Sequence, residues 1–153
     1  MKSPAADAYW EEFRKDTGLQ DGRYVAASFG DNPTMADDLV ALVLTGRKRA
    51  TASLARDYRH PTADPFPAVG DYVVWLDGSG TPRCITKTTH VEMKPMSQVD
   101  ELFAWDEGEG DRTRAWWLEA HRRYFGRQAD REGFLMHDEI ETVFERFELV
   151  WMG

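Results

Sequence analysis

At 153 residues, with 42% hydrophobic and 30% charged residues, the chain has the size and balance of one globular domain, which excludes a disordered segment or a fibrous repeat. Its net charge of −8 argues against tight binding of duplex DNA, which needs Lys and Arg to neutralise phosphates. No apolar run approaches the roughly 18 residues that span a bilayer, the first residues lack a signal-peptide core, and the one cysteine, Cys84, makes neither an internal disulfide nor a CxxC pair. A soluble cytoplasmic protein with no membrane partner is the expectation.

Taken in chain order, residues 8–17 place Tyr9, Trp10 and Phe13 at helical spacing, with Gly18 as terminator. Residues 24–29 read as a short strand. A second helix has Asn32 as cap, Pro33 at its first position, Asp37 and Asp38 near its positive end, and Met35, Leu39, Leu42 and Val43 on one face; Gly46 offers the stop. Strands follow at 49–54, 72–76 and 83–92, the last two joined by the hairpin signal Asp77-Gly78-Ser79-Gly80. Ser97 is expected to cap a short helix through Phe103, and Asp111 (preferred) or Thr113 a longer one ending at Phe125 before Gly126. A final strand covers 141–151. Helices before and between short antiparallel strands, without regular βαβ units, predict an α+β fold built on a small barrel or curled sheet. A single domain over 1–153 is expected, with an N-terminal helix (about 4–18) packed on it.

Charge is segmental: residues 47–59 carry +4 and 110–131 carry +3, against acidic surroundings. Two such basic walls can focus an anionic ligand, or can be two solvated arginine faces. His60, His90, His121 and His137 show no metal-ligand spacing, and there is no phosphate loop, dinucleotide fingerprint or nucleophile elbow, so no metal or cofactor is expected. His121 shares a helix face with Trp117 and Phe125, as a packed histidine does.

Two stretches remain. In Gly46-Arg47-Lys48-Arg49-Ala50-Thr51, Lys48 lies between two arginines whose repulsion is expected to lower its pKa, which would let it act as a base near the Thr51 hydroxyl. Residues three apart on a regular strand face opposite ways, so the two converge only if the connection turns Lys48 inward. A basic turn before an ordinary strand threonine accounts for the same residues. In the run 103–111, Asp106, Glu107, Glu109 and Asp111 repel one another, so burial of one would raise its pKa; a solvated acidic loop is the alternative.

The first stretch resembles the GxKxxT signature of ASCH domains, small β-barrel domains similar to the PUA fold. The likeness continues through Phe29-Gly30-Asp31, Ala36-Asp37-Asp38-Leu39, Gly70-Asp71, Glu107-Gly108-Glu109-Gly110-Asp111 and His121 with Phe125, covering nearly all of 9–151. The resemblance implies a small PUA-like mixed β-barrel flanked by helices, and an RNA-related role. Family members include an amidohydrolase that deacylates N4-acetylcytidine and ribonucleases acting on single strands. By position, the amidohydrolase's working residues correspond to Lys48, Thr51 and Glu107. The chain is longer than the compact amidohydrolases and its loop 104–111 is its own, which bears on the substrate more than on the pocket.

The expected function is a metal-independent hydrolase acting on a nucleoside or on single-stranded RNA. Lys48 would deprotonate Thr51 or water, or stabilise negative charge, and Glu107 would protonate the leaving group. Arg47, Arg49 and Arg56 would hold a phosphate or oxyanion, Trp105 would stack on a base, and Glu109 and His121 would complete the binding site. In a ribonuclease, Lys48 would neutralise the phosphate while Glu107 or His121 moved the proton. The alternative is a module that binds RNA or a modified base without turnover. Which of Glu107 and Glu109 faces the pocket stays open at this level.

Overall fold

A computed structural model describes residues 2–153. Helix α1 (Pro4–Thr17) starts where the Ser3 side chain accepts a hydrogen bond from the Ala6 N–H and ends at Gly18. Its Trp10 and Phe13 are buried against Tyr24, Val74 and Ile85. Strand β1 (Val25–Ala27) is shorter than its predicted span. Helix α2 (Pro33–Leu44) is capped by Asn32 as expected, but its buried face is Ala36, Val40 and Val43, with Leu39 only partly covered. Its first turn holds no acid. Asp37 serves the hairpin turn instead, its Oδ1 accepting from the Gly78 N–H at 2.7 Å.

Strand β2 (Ala50–Leu54) leads through a short 3-10 helix (Ala55–Tyr58) and a proline-rich loop into β3 (Tyr72–Leu76) and β4 (Pro82–Pro95). A 3-10 turn (Met96–Gln98), α3 (Glu101–Glu107), α4 (Arg114–Glu132) and β5 (Glu141–Trp151) complete the chain. The sheet order is β1-β3-β4-β5-β2, parallel only between β1 and β3. Register shifts in the β4–β5 ladder, at Ile85/Thr86 and Thr88/His90, bend these two longest strands. The sheet curls into a half-barrel, giving the expected α+β fold.

Alternation along β3 and β4 assigns the helices to faces. Val74 and Ile85 meet α1, while Val73, Trp75 and Cys84 meet α2. Helices α3 and α4 cover β2 and β5 through Phe103, Trp117, Phe125, Leu54 and Phe144.

Three predicted boundaries are corrected. Ser97 caps no helix: it lies in the 3-10 turn and its Oγ donates to Glu139, while Asp100 caps α3 by accepting from the Phe103 N–H at 2.7 Å. Thr113, not Asp111, caps α4; its Oγ1 accepts from the Trp116 N–H, and Asp111 Oδ1 accepts from both the N–H and the hydroxyl of Thr113. Gly126 does not end α4, which runs on to Gly133 because Gln128 and Ala129 bury on the turn beyond it and outweigh glycine's weak helix preference.

Candidate active site

The connection between α2 and β2 is pinned at both ends. The Lys48 N–H donates to Leu42 O at 3.1 Å and the Arg49 N–H to Asp106 O at 2.7 Å, so Lys48 turns inward before β2 begins. Its side chain is only 1% exposed. The ammonium donates to Ala50 O (2.8 Å), Glu109 Oε2 (3.0 Å) and Glu107 Oε2 (3.1 Å). Three N–H bonds meet three acceptors, so the charge is fully satisfied.

This arrangement reverses one expectation. Burial pushes the Lys48 ammonium toward deprotonation, but the two carboxylates outweigh it and the net direction is up. Its arginine neighbours in sequence do not decide the matter: Arg47 and Arg49 turn outward, and acids about 60 positions downstream dominate. The three acceptors around it and the direction of its pKa both favour the charged ammonium over the free base.

The two carboxylates diverge. Burial raises the Glu107 carboxyl well above the ordinary range, and the Glu109 charge adds to this against the pull of Lys48. Glu109 is also opposed by burial, yet Lys48 and a hydrogen bond from Glu107 hold it down at about 2. The pair titrates as a unit in which the neutral form is favoured at Glu107 and the charged form at Glu109. Glu107 Oε1 is buried without a hydrogen-bond partner, 3.8 Å from His121 Nε2. His121 Nδ1 pairs with Trp117 O at 2.8 Å, and its ring stacks on Trp117 with centroids 3.8 Å apart.

Burial lowers the His121 pKa to about 4, partly opposed by Glu109. The folded state then binds fewer protons than the unfolded chain between about pH 4 and 6.5, so His121 contributes stability above 6.5 that is lost as pH falls toward 4. We expect thermal melts at pH 7 and pH 5 to show a larger drop for the native sequence than for His121→Gln. Equal drops would discount a buried neutral imidazole.

Backbone geometry fixes Glu109. Gly108 (φ 73°) ends α3 and Gly110 (φ 57°) follows, both in the left-handed region. A Cβ on Gly108 would collide with the Arg47 carbonyl, and one on Gly110 with the Trp116 ring. Arg47 binds the loop from outside, its Nε donating to Gly108 O at 2.6 Å and its Nη2 to Gly110 O at 3.1 Å. Gly110→Ala is expected to destabilise by about 2–3 kcal/mol through overpacking and backbone strain, measured by denaturant titration.

A cavity of about 430 Å³ opens beside this cluster, within the range of small-ligand sites. Lys48, Thr51, Glu107, Glu109 and His121 all line it, so both acids face the pocket, Glu109 being the more accessible at 13% exposure. Four predicted binding residues lie outside. Arg47 braces the loop. Arg49 pairs with Asp106 at 3.5 Å and is exposed. Arg56 lies over the Phe134 ring near Glu132, lining a separate surface basin. Trp105 is 51% exposed on the outer side of α3 and carries the Arg112 guanidinium, 3.7 Å from its ring.

Other lining groups were not singled out from the sequence. Phe29 stacks on Trp75 at 3.8 Å and 9°, forming an aromatic wall. Ser53 and Tyr58 share a hydroxyl–hydroxyl bond at 2.6 Å. Asp57 accepts from Gln128, and Arg127 pairs with Asp31 at 2.8 Å. Glu145 on β5 stands opposite Thr51. Strand alternation carried this signal: Thr51, Ser53 and Glu145 fall on the face opposite Ala50, Leu54 and Phe144, which are in the core.

One oxygen each of Glu107 and Glu109 and one nitrogen of His121 lie within 4.8 Å of one another, a donor set that could take a divalent cation. The Lys48 ammonium already bonds both carboxylates and supplies the positive charge there. Among the described residues no helix is long and apolar enough to cross a membrane.

No curated protein matches the sequence. A structure of an ASCH domain from Lactobacillus crispatus is similar over 94% of this chain and 93% of its own, at 31% identity and a TM-score of 0.83. A protein from Enterococcus faecalis is similar over 95% of this chain and 88% of its own, at 32% identity and a TM-score of 0.85. The ASCH domain family matches residues 25–151, which include β1, the lysine-bearing connection, the acidic loop and β5. The buried Lys48 cluster therefore lies wholly inside that match, and the chain belongs to the ASCH domain family.

Proposed function

We propose that the cavity is the site of a hydrolase that cleaves an acyl group from a nucleoside-sized ligand by acid–base chemistry between Glu107 and Glu109. The observation that carries this is geometric: two neighbouring carboxyls, both on the cavity wall, are held by one buried ammonium, with Glu107 pushed toward its neutral form and Glu109 toward its charged one. Glu109 takes a proton from a water that attacks the acyl carbon. As the carbon–nitrogen bond breaks, Glu107 delivers its proton to the leaving nitrogen. Transfer from Glu109 to Glu107 then restores the starting state. Lys48 holds both groups in place, and the Thr51 hydroxyl, from the cavity wall, would donate to the developing oxyanion.

A neutral ligand fits better than a phosphodiester. Asp57, Glu107, Glu109 and Glu145 line the cavity, whereas Arg123 and Arg127 on its wall are engaged by Glu119 and Asp31. The test is incubation of the protein with N4-acetylcytidine and, separately, with labelled single-stranded RNA, both in chelator. Acetate release with intact RNA is expected. RNA cleavage without acetate would replace this chemistry with a ribonuclease. Nucleoside binding with no turnover of either compound would leave a non-catalytic binding module.

A further inference from the structure

Every carboxylate lining the cavity has a hydrogen-bond donor except one. Lys48 serves Glu107 and Glu109, and Gln128 serves Asp57 at 2.6 Å. Glu145 lines the same cavity from the middle of β5, yet among the described residues its side-chain carboxyl has no hydrogen bond and no ion pair. Glu145 is half-buried, and a carboxyl facing a cavity with no protein donor is free to meet a ligand there. Core packing does not occupy it, because the adjacent Phe144 fills the apolar layer on the other face of β5. Glu145 instead shares its face with hydroxyls: Thr51 is its cross-strand partner, Ser53 lies two residues further along β2, and Tyr58 bonds Ser53. Phe29 and Trp75 line the same cavity as a flat apolar surface.

We propose that Glu145 reads the polar edge of the bound ligand, its carboxyl group pairing with a heterocycle edge that sets one N–H beside one acceptor. A neutral carboxyl offers one donor and one acceptor, the complement of such an amide- or amidine-type edge. Conditions at Glu145 favour this form: burial, with the Asp71 charge adding to it, raises its pKa to about 7. Asp71 before β3 and the Tyr58 phenol are the titratable groups that act with it, and neither supplies a cation. The role rests on the nucleoside-hydrolase reading given above and names the residue that would orient the ligand for it.

The experiment titrates cytidine into the native sequence, Glu145→Gln and Glu145→Ala at pH 6 and pH 8.5, following the fluorescence of the cavity tryptophans. Cytidine itself keeps one protonation state over this range. The native protein is expected to bind about tenfold more weakly at pH 8.5, as Glu145 ionises. Glu145→Gln, which fixes one donor and one acceptor, should bind alike at both values. Glu145→Ala should be about tenfold weaker than the native protein at pH 6 and insensitive to pH. Equal binding by the native protein and Glu145→Ala overturns the inference, as does a pH profile that survives in Glu145→Gln, or no cytidine binding at all. Acetate release from N4-acetylcytidine by the same three proteins separates the two readings. A native enzyme that turns over while Glu145→Ala keeps its KM sinks the role of Glu145 alone. A native protein that binds cytidine as expected but releases no acetate sinks only the hydrolase.

Discussion

Lys48→Met should lower the stability of the protein by about 3–5 kcal/mol at pH 7, the usual consequence of removing one partner of a buried ion pair. The side chain is 1% exposed, so no water replaces the lost ammonium, and Met leaves Ala50 O, Glu107 and Glu109 without their donor. For a chain of this size the loss corresponds to about 10 °C in Tm. The pH dependence identifies the cause. In the native protein Glu109 has a depressed pKa, so the stability it contributes is present above the ordinary carboxylate pKa and lost as pH falls through about 2. Without Lys48, burial raises the Glu109 pKa instead, the folded variant binds the extra proton, and its stability should rise as pH falls from 7 to 5. The variant's deficit, measured by denaturant titration, should therefore shrink at pH 5. A deficit below about 1 kcal/mol at pH 7, or one that grows on acidification, would contradict the geometry. Adding Glu109→Gln should recover part of the stability without activity, since the two sites are in direct contact and their effects are not additive.

The same cluster marks the boundary of what the sequence makes legible. Elements whose boundaries depend on local chemistry could be read directly: the Asn32 cap, the Asp77–Gly80 turn and the closing strand depend on residues near one another in the chain. Errors arose where distant packing decided. Gly126 reads as a stop, but burial of Gln128 and Ala129 carries α4 past it. Asp111 and Thr113 are both fit to cap, and only the bonds between them show that one positions the other. Lys48 is the sharpest case. Its sequence neighbours are arginines, whereas its spatial neighbours are acids from α3 and the following loop, and the direction of its pKa follows the latter. Glu145 stayed hidden because a glutamate on a strand normally faces water. Here the curl of the sheet turns that face onto the cavity.

Glu107→Gln should separate chemistry from scaffold in the opposite way to Lys48→Met. Because burial pushes Glu107 toward its neutral form, glutamine closely matches that form in shape and charge: its carbonyl can accept from Lys48 and its amide can donate to Glu109. The stability change should stay within about 1 kcal/mol, as for other volume-conserving replacements. Turnover of N4-acetylcytidine should nevertheless fall by about 10²–10⁴ in kcat, because an amide has no proton to give the leaving nitrogen. KM should move little, since the ligand-facing hydroxyls and aromatic wall are untouched. If Glu107 were only the acidic half of a structural ion pair, the order would reverse: the melting temperature would drop by several degrees and the surviving folded fraction would keep its kcat. A full kinetic comparison on protein of verified fold decides between them. The two outcomes cannot coincide, because one requires an ionised carboxylate at position 107 and the other a neutral acid.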